Sequence, residues 1–147
     1  MTREVISHFL FFTERVLGPL SLLSAHTTYP DEPSLCETAV LARLVSGKRQ
    51  EVSILATVGG IQPERQEFTV KGTKTSRRIT DFHKDSISDG SDFIALREPL
   101  KDPRAISLKV QLDELSLLLA AKPNKLATID EAFRVQALVE SILARTI

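Results

Sequence analysis

The sequence predicts an α+β fold, in which an open, mostly antiparallel β-sheet of five or six strands carries helices on one face. Two observations predict this class. Near both ends of the chain, apolar residues recur every three or four positions, whereas the middle consists of short apolar runs separated by turn residues. Strands grouped between helices, rather than alternating with them, are typical of a mostly antiparallel sheet.

The first predicted helix extends from Arg3 to Leu17. It ends at Gly18 and Pro19, a pair that interrupts helices. The apolar residues of this segment keep the helical spacing of three and four: Val5, Ile6, Phe9, Leu10, Phe12, Val16 and Leu17.

Two strands are predicted next, Leu20–Tyr29 and Leu35–Val45, with a turn at Pro30–Pro33 between them. The second strand is apolar on both sides. Cys36, Val40 and Leu44 point one way, and Leu35, Ala39 and Leu41 point the other. We therefore expect this strand to be central and covered on both faces.

A loop at Ser46–Gln50 leads to a strand at Glu51–Val58, which has one drier and one wetter face, and Gly59–Arg65 then breaks the pattern. Residues Gln66–Phe82 predict a hairpin that turns at Gly72. A looser stretch (Lys84–Asp92) and a short apolar segment (Phe93–Leu96) complete the strand region.

Two helices are predicted at the end of the chain. The first, Ala105–Asn124, carries a broad apolar stripe made of Ile106, Val110, Leu112, Leu115, Leu117, Leu118 and Leu119. The second, Ile129–Ala144, follows a capping box formed by Thr128 and Glu131. Its predicted buried face consists of Ala132, Val135, Leu138, Val139, Ile142 and Leu143.

Length and composition favour one domain over residues 1–147, because 147 residues with 42% apolar content suffice for one core. The 19 basic and 19 acidic residues cancel, so the chain has no global field to attract nucleic acid or an anionic membrane. One basic cluster (Lys71, Lys74, Arg77 and Arg78) is interpreted as the polar tip and exposed edge of the hairpin.

A single cysteine, Cys36, excludes an internal disulfide and favours a cytoplasmic location, and we expect it to be a small buried residue. The apolar stretch from Val5 to Leu23 is interrupted by polar residues, Gly18 and Pro19, so we expect neither a signal peptide nor a membrane span.

Glu4 and His8 are the candidate catalytic residues. Four residues apart on a helix, they share a face and can reach one another. A carboxylate beside an imidazole sets its tautomer and raises its basicity, which suits a histidine that transfers protons. The alternative is a half-buried helical histidine with an unrelated glutamate one turn away.

Other residues are weaker candidates for a functional site. Asp81, His83 and Asp85 alternate along one side of a predicted strand end, but no fourth metal ligand accompanies them, and no metal site is expected. His26 is interpreted as a core or interface residue. The sequence contains no G-x-G-x-x-G and no P-loop, so the chain alone is expected to bind no nucleotide cofactor.

Four stretches together resemble the C-terminal half of the Gfo/Idh/MocA oxidoreductases, the family of glucose-fructose oxidoreductase and inositol dehydrogenase. They are REVISHFLFFTERVLGPLSLLSAH, ETAVLARLVSGKRQEVSILATVGG, FTVKGTKTSRRITDF and QLDELSLLLAAKPNKLATIDEAFRVQALVESILA. The resemblance covers nearly the whole chain, and its closing stretch is the most specific part.

This resemblance implies a substrate-binding and oligomerisation domain whose partner, an N-terminal Rossmann domain holding NAD or NADP, is not in this sequence. The substrate class it implies is a sugar, polyol or related hydroxyl compound. By position, the family's proton-handling histidine falls on His8 and its aspartate on Glu4, whose side chain is one methylene longer. Ile6 stands where many members have glycine.

Two other functions stay open at this point. The chain is alternatively a non-catalytic interaction protein that forms a homodimer, or pairs with a full-length relative, through the open face of its sheet. A third hypothesis is a ligand-binding cup, in which a curved sheet closes over a long C-terminal helix. No nucleic-acid or membrane partner is expected.

Overall fold

The computed structural model describes residues 1–32, 35–61 and 63–144. They form a π-helical turn (Thr2–Ile6), α1 (Ser7–Leu17), β1 (Leu20–Thr28), β2 (Ala39–Ser46), β3 (Glu51–Thr57), β4 (Glu67–Lys71), β5 (Ser76–Thr80), β6 (Lys84–Ser88), β7 (Ile94–Ala95), α2 (Pro103–Leu119) and α3 (Ile129–Leu143). Pro33, in the predicted turn, and Gln62, in the predicted break, lie outside the described residues.

The chain divides into two compact units. The first comprises Met1–Ile61 and Ala127–Ile147, and the second comprises Gln62–Leu126. The single domain expected over residues 1–147 stays a prediction.

The first unit is built on an antiparallel sheet with the strand order β1-β2-β3, so β2 is central, as predicted. Inward residues of β2 share one core with α1 and α3. The buried members of this core are Ile6, Leu10, Val40, Ala42, Leu44, Val135, Leu138, Val139, Ile142 and Leu143. Helices on one face of an antiparallel sheet confirm the predicted α+β class.

Strand β2 is buried on one face only, because its side chains alternate between the core and the outer surface. Val40, Ala42 and Leu44 are buried, whereas Leu41 is 55% exposed. The expectation that both faces of this strand are covered is therefore wrong for the first unit. Cys36, predicted to be buried, is exposed, since β2 begins only at Ala39 and the cysteine precedes it.

The helix ends of the first unit follow the predicted signals. Helix α1 ends at Gly18, whose φ of 84° is one that glycine adopts without steric cost. At the start of α3, the Glu131 N–H donates to Thr128 Oγ1 (3.2 Å) and the Thr128 N–H donates to Glu131 Oε2 (2.7 Å). The predicted capping box is confirmed.

The second unit contains an antiparallel sheet with the order β4-β5-β6-β7. The hairpin that turns at Gly72 is confirmed, and a Cβ at this glycine would lie 2.5 Å from the Thr75 carbonyl oxygen. The stretch predicted to be loose contains β6, which pairs with β5 throughout its length. The described residues thus form seven strands in two open sheets, where the sequence predicted five or six in one.

Arg77 and Arg78 do not lie on an exposed hairpin edge, which corrects the interpretation of the basic cluster. They belong to β5, which has β4 on one side and β6 on the other. The sequence analysis treated Lys84–Asp92 as a loose stretch and so missed β6. Without β6, strand β5 would be an edge strand.

Asp102 caps the start of helix α2, and its Oδ1 accepts a 3.0 Å hydrogen bond from the Ala105 N–H. All of α2 lies within the described residues, and none of its side chains is buried, so the apolar residues of the predicted stripe are at least partly exposed. The sequence explains this result, because apolar residues at 106, 108, 110 and 112 occupy different sides of a helix.

Candidate functional site

Glu4 and His8 lie on either side of a change in helical geometry. Glu4 belongs to the π-helical turn and His8 to the first turn of α1, and both residues are exposed. Single π-helical turns are frequent at functional sites, because the wider turn re-aims the side chains that it carries. The structure places both predicted residues at the N-terminal end of one helical segment, and their catalytic role stays a prediction.

A buried carboxylate anchors this helical start. The Thr2 N–H donates a 2.5 Å hydrogen bond to Glu37 Oε1, and the Met1 ammonium nitrogen lies 3.3 Å from the same oxygen. Glu37 is buried, and burial disfavours its charged form, but these interactions outweigh burial and lower the pKa of its carboxyl from 4.5 to about 2. No sequence pattern pointed to Glu37, because it lies in the irregular segment before β2.

An ion pair ties the π-helical turn to α3. Arg3 donates through Nε and Nη2 to the two carboxylate oxygens of Glu140, at 2.9 and 2.7 Å. The hydrogen bond from Arg3 lowers the pKa of Glu140. The segment that carries Glu4 and His8 is therefore held at Thr2 by Glu37 and at Arg3 by α3.

The other end of α1 is also bonded to α3. Arg15 donates to both carboxylate oxygens of Glu131, at 3.1 and 3.0 Å, and this hydrogen bonding lowers the pKa of Glu131 to about 2. The buried Glu14 accepts from the Leu20 N–H (3.2 Å) and from Arg134 Nε (3.4 Å). Ion pairs from Arg3, just before α1, and from Arg15, near its end, therefore fix the position of α1 along α3.

A shallow groove lies beside Glu14, where α3 and β1 meet the end of α1. It measures about 380 Å³ and is lined by Glu14, Leu20, Ser21, Leu22, Phe133, Arg134, Ala137, Leu138 and Ser141. Neither Glu4 nor His8 is among these residues, so the groove is separate from the predicted catalytic pair.

The outer face of the first sheet carries a row of three paired residues, His26, Leu41 and Leu55, one from each strand. Leu41 is 55% exposed and Leu55 is 80% exposed. The neighbouring row across the strands consists of Ser24, Arg43 and Ser53. The face is therefore an apolar centre with small and polar neighbours, and His26 lies on it rather than in the core.

The predicted alternation of Asp81, His83 and Asp85 along one strand side is wrong. Asp81 and His83 lie in the turn before β6, and Asp81 has a positive φ of 50°. Asp81 pairs with Lys84 (2.6 Å) and Asp85 with Arg77 (2.5 Å). Across residues 1–32, 35–61 and 63–144, no three His, Cys, Asp or Glu side chains are grouped so as to hold a metal ion.

Within the same ranges, no helix combines the length and the apolar character needed to cross a membrane.

Comparison with known proteins gives a likeness of fold. No family model matches the chain, and no curated protein matches it in sequence. Solved structures do match it in fold, and three of them illustrate the extent of the match. The dehydrogenase MviM from Clostridium difficile superposes with a TM-score of 0.71 at 10% identity, over 94% of this chain and 45% of that one.

The other two structures match to a similar extent. For the oxidoreductase TM0312 from Thermotoga maritima the TM-score is 0.67 at 16% identity, over 93% of this chain and 39% of that one. The WlbA dehydrogenase from Bordetella pertussis was solved in complex with NADH and UDP-GlcNAcA. Its TM-score is 0.67 at 18% identity, over 94% of this chain and 43% of that one. The chain spans less than half the length of each. The resemblance to the Gfo/Idh/MocA oxidoreductases is thus confirmed at the level of the fold, which this chain shares with one part of such dehydrogenases.

Proposed function

We propose that this chain is the substrate-binding and oligomerisation domain of an NAD(P)-dependent oxidoreductase that acts on a sugar, polyol or related hydroxyl compound. The observation that carries the proposal is the likeness to three dehydrogenase or oxidoreductase structures, of which the chain spans 45%, 39% and 43%. A share of this size is what a second domain of a two-domain enzyme would have.

The cofactor belongs to a separate segment in this proposal. The 147 residues contain neither a G-x-G-x-x-G nor a P-loop, the motifs with which backbone amides hold nucleotide phosphates. One neighbour, WlbA, was solved with NADH, which supports a nicotinamide cofactor for the complete enzyme. Hydride transfer needs the nicotinamide held against the substrate carbon, so the chain alone does not turn over.

His8 takes the substrate hydroxyl proton in this proposal, and Glu4 orients the imidazole. Both side chains are exposed, so a substrate can approach them. The anchoring of the helix start by Glu37 and by Glu140 supports this role, because a general base needs a fixed position relative to the proton that it accepts.

The test compares the chain alone with the chain fused behind a dinucleotide-binding domain of the Gfo/Idh/MocA type. Calorimetric titration with NAD and NADP is expected to detect no tight binding to the chain alone. The fusion is expected to reduce the nicotinamide with at least one member of a panel of sugars and polyols, as followed by absorbance. Tight cofactor binding by the chain alone would contradict the proposal.

A second candidate function is a non-catalytic interaction protein that forms a homodimer through the outer face of the first sheet. The exposed Leu41 and Leu55, side by side on neighbouring strands, favour it, because an apolar patch is stabilised when a partner removes it from water. Sedimentation analysis at micromolar concentration tests this candidate. A strict monomer would count against it, while a dimer without activity in any fusion would favour it over the enzyme.

A further inference from the structure

Arg77 and Arg78 are neighbours on β5 and project from opposite faces of the second sheet, because successive side chains of a strand alternate. On one face, Arg77 pairs with Asp85 through Nε (3.3 Å) and Nη2 (2.5 Å). On the other face, Arg78 lies between Thr69 of β4 and Ser86 of β6. The two arginines therefore have different surroundings despite their adjacency.

The guanidinium of Arg78 is held at its Nε edge by two oxygen atoms and on one flat face by an aromatic ring. Its Nε lies 3.3 Å from Glu67 Oε1 and 3.4 Å from Thr69 Oγ1, and its Cζ lies 3.8 Å from the centre of the Phe93 ring. Contact with an aromatic face stabilises a cation and restricts its rotation. Arg78 is thus oriented before any ligand arrives.

The terminal nitrogens of this guanidinium are available. In the described part of the chain, neither Nη atom of Arg78 has a hydrogen-bond partner, although these two atoms carry four of the five N–H donors of the group. Arg77 differs, since its Nη2 is already bonded to Asp85. Available donors on a pre-oriented guanidinium are suited to bind a carboxylate or a phosphate.

The local charge is also suited to an anion. Glu67 is the only acidic residue on this face of β4, and it is shared between two arginines, with Arg65 Nη2 at 2.5 Å and Arg78 Nε at 3.3 Å. One carboxylate facing two guanidinium groups leaves one positive charge uncompensated. Lys71, which shares the face of Glu67 and Thr69 by alternation, adds to it.

We propose that Arg78 is the anchor of a binding site for an oxyanion, the carboxylate or phosphate group of a small hydroxyl-bearing molecule, on the Thr69–Ser86 face of the second sheet. Thr69 Oγ1 lies 3.4 Å from Arg78 Nε, and Ser86 Oγ donates to the main-chain oxygen of Arg78 (3.2 Å). Both hydroxyl oxygens keep acceptor capacity for the hydroxyl groups of such a molecule. The site does not depend on the proposed oxidoreductase role, because it concerns binding to this chain without a cofactor.

The test is a titration of the full 147-residue chain with glucuronate, glucose 6-phosphate and neutral glucose, followed by the arginine Nε–Hε signals in NMR spectra. We expect a saturable shift of the Arg78 signal with an anion and none with glucose. A response to glucuronate alone assigns the site to a carboxylate, and a response to glucose 6-phosphate alone assigns it to a phosphate. No saturable shift with either anion would overturn the proposal.

Two adjacent residues provide a matched pair of variants. Arg78→Gln is expected to weaken anion binding about tenfold or more, since it removes charged hydrogen bonds. Arg77→Gln removes the same charge from the opposite face and is expected to change affinity by less than about twofold. Equal losses in both variants would mean unspecific attraction and would overturn the site.

A third variant covers the case in which Arg78→Gln fails to fold. Phe93→Leu keeps the charge of Arg78 but removes the aromatic face beneath it, and it is expected to weaken binding by about threefold to tenfold. Unchanged affinity in a folded Phe93→Leu protein would overturn the site as proposed, because the Phe93 ring would then play no part in orienting the guanidinium of Arg78.

Discussion

The backbone N–H of Thr2 donates a 2.5 Å hydrogen bond to the carboxylate of Glu37, which lies 35 residues further along the chain and is buried. This contact joins the start of the helical segment that carries Glu4 and His8 to the residues that lead into the central strand. It makes the position of that segment dependent on one charged group.

Glu37→Gln is expected to lower the free energy of unfolding at pH 7 by about 2 kcal/mol, the range of a hydrogen bond to a charged group. The native pKa of Glu37 is lowered from 4.5 to about 2, so its stabilisation is complete above pH 4.5 and is lost as the pH falls toward 2. Denaturant unfolding at several pH values should therefore show the difference between wild type and variant shrinking over this interval.

Glu98→Gln provides the control for Glu37, because Glu98 is exposed. It should leave the unfolding free energy within about 0.5 kcal/mol of wild type. A Glu37→Gln protein as stable as the control at pH 7 would contradict the anchoring role.

The two faces of β2 are expected to respond differently to the same truncation. Leu44 is fully buried, so Leu44→Ala should cost about 2–5 kcal/mol of stability through lost burial and the cavity left behind. Leu41→Ala, on the outer face of the same strand, should cost less than about 1 kcal/mol in dilute protein. Denaturant titration of both variants measures the contrast, and equal losses would mean that the outer face is also part of a core.

His8→Ala is expected to reduce turnover of the active fusion by about a hundredfold or more, since proton transfer by a positioned side chain contributes on this scale. Glu4→Gln should reduce it less, because the amide can still orient the imidazole without its charge. The measurement is kcat and KM across the pH range in which a histidine titrates.

His83→Ala is the matched control for His8, since His83 lies in the turn before β6, in the second unit. It should leave kcat within about threefold of the unaltered fusion. If the two histidine variants behave alike, His8 is not the proton-handling residue.

Leu55→Glu is expected to shift a dimer toward monomers, since a charge placed on an apolar interface is costly to remove from water. The control variant is Ile129→Glu. Ile129 is 88% exposed and is the first residue of α3, where an acidic residue is favourable. Sedimentation velocity over a concentration series distinguishes the two variants. Dissociation by both, or by neither, would exclude the outer face as the interface.

Local sequence signals predicted much of the first unit. The periodicity of Arg3–Leu17, the glycine at position 18, the alternation in β3 and the Thr128–Glu131 box depend on neighbouring residues, whose geometry repeats within a few positions. The candidate pair Glu4 and His8 was chosen from helical spacing, which brings two such residues to one side, and its role stays a prediction.

Long-range pairing was not accessible from these signals. Strand β6 is short and polar, and it is identified as a strand only when β5 supplies its hydrogen bonds. The same pairing places Arg78 inside a sheet and next to Phe93, 15 residues away, whereas the sequence alone suggested an exposed edge. Glu37 likewise has no distinguishing neighbours in the sequence, and its role follows from its contact with Thr2.

The sequence by itself determined the class of fold, the arrangement of helices before and after a group of strands, and the residues eligible for proton transfer. Each of these follows from the side-chain pattern within one element. Tertiary structure alone decided which strand faces are covered, how the strands divide between two sheets, and which charged groups are paired. Those outcomes depend on segments distant in the chain meeting in space, since burial and ion pairing are properties of the neighbours that a residue acquires on folding.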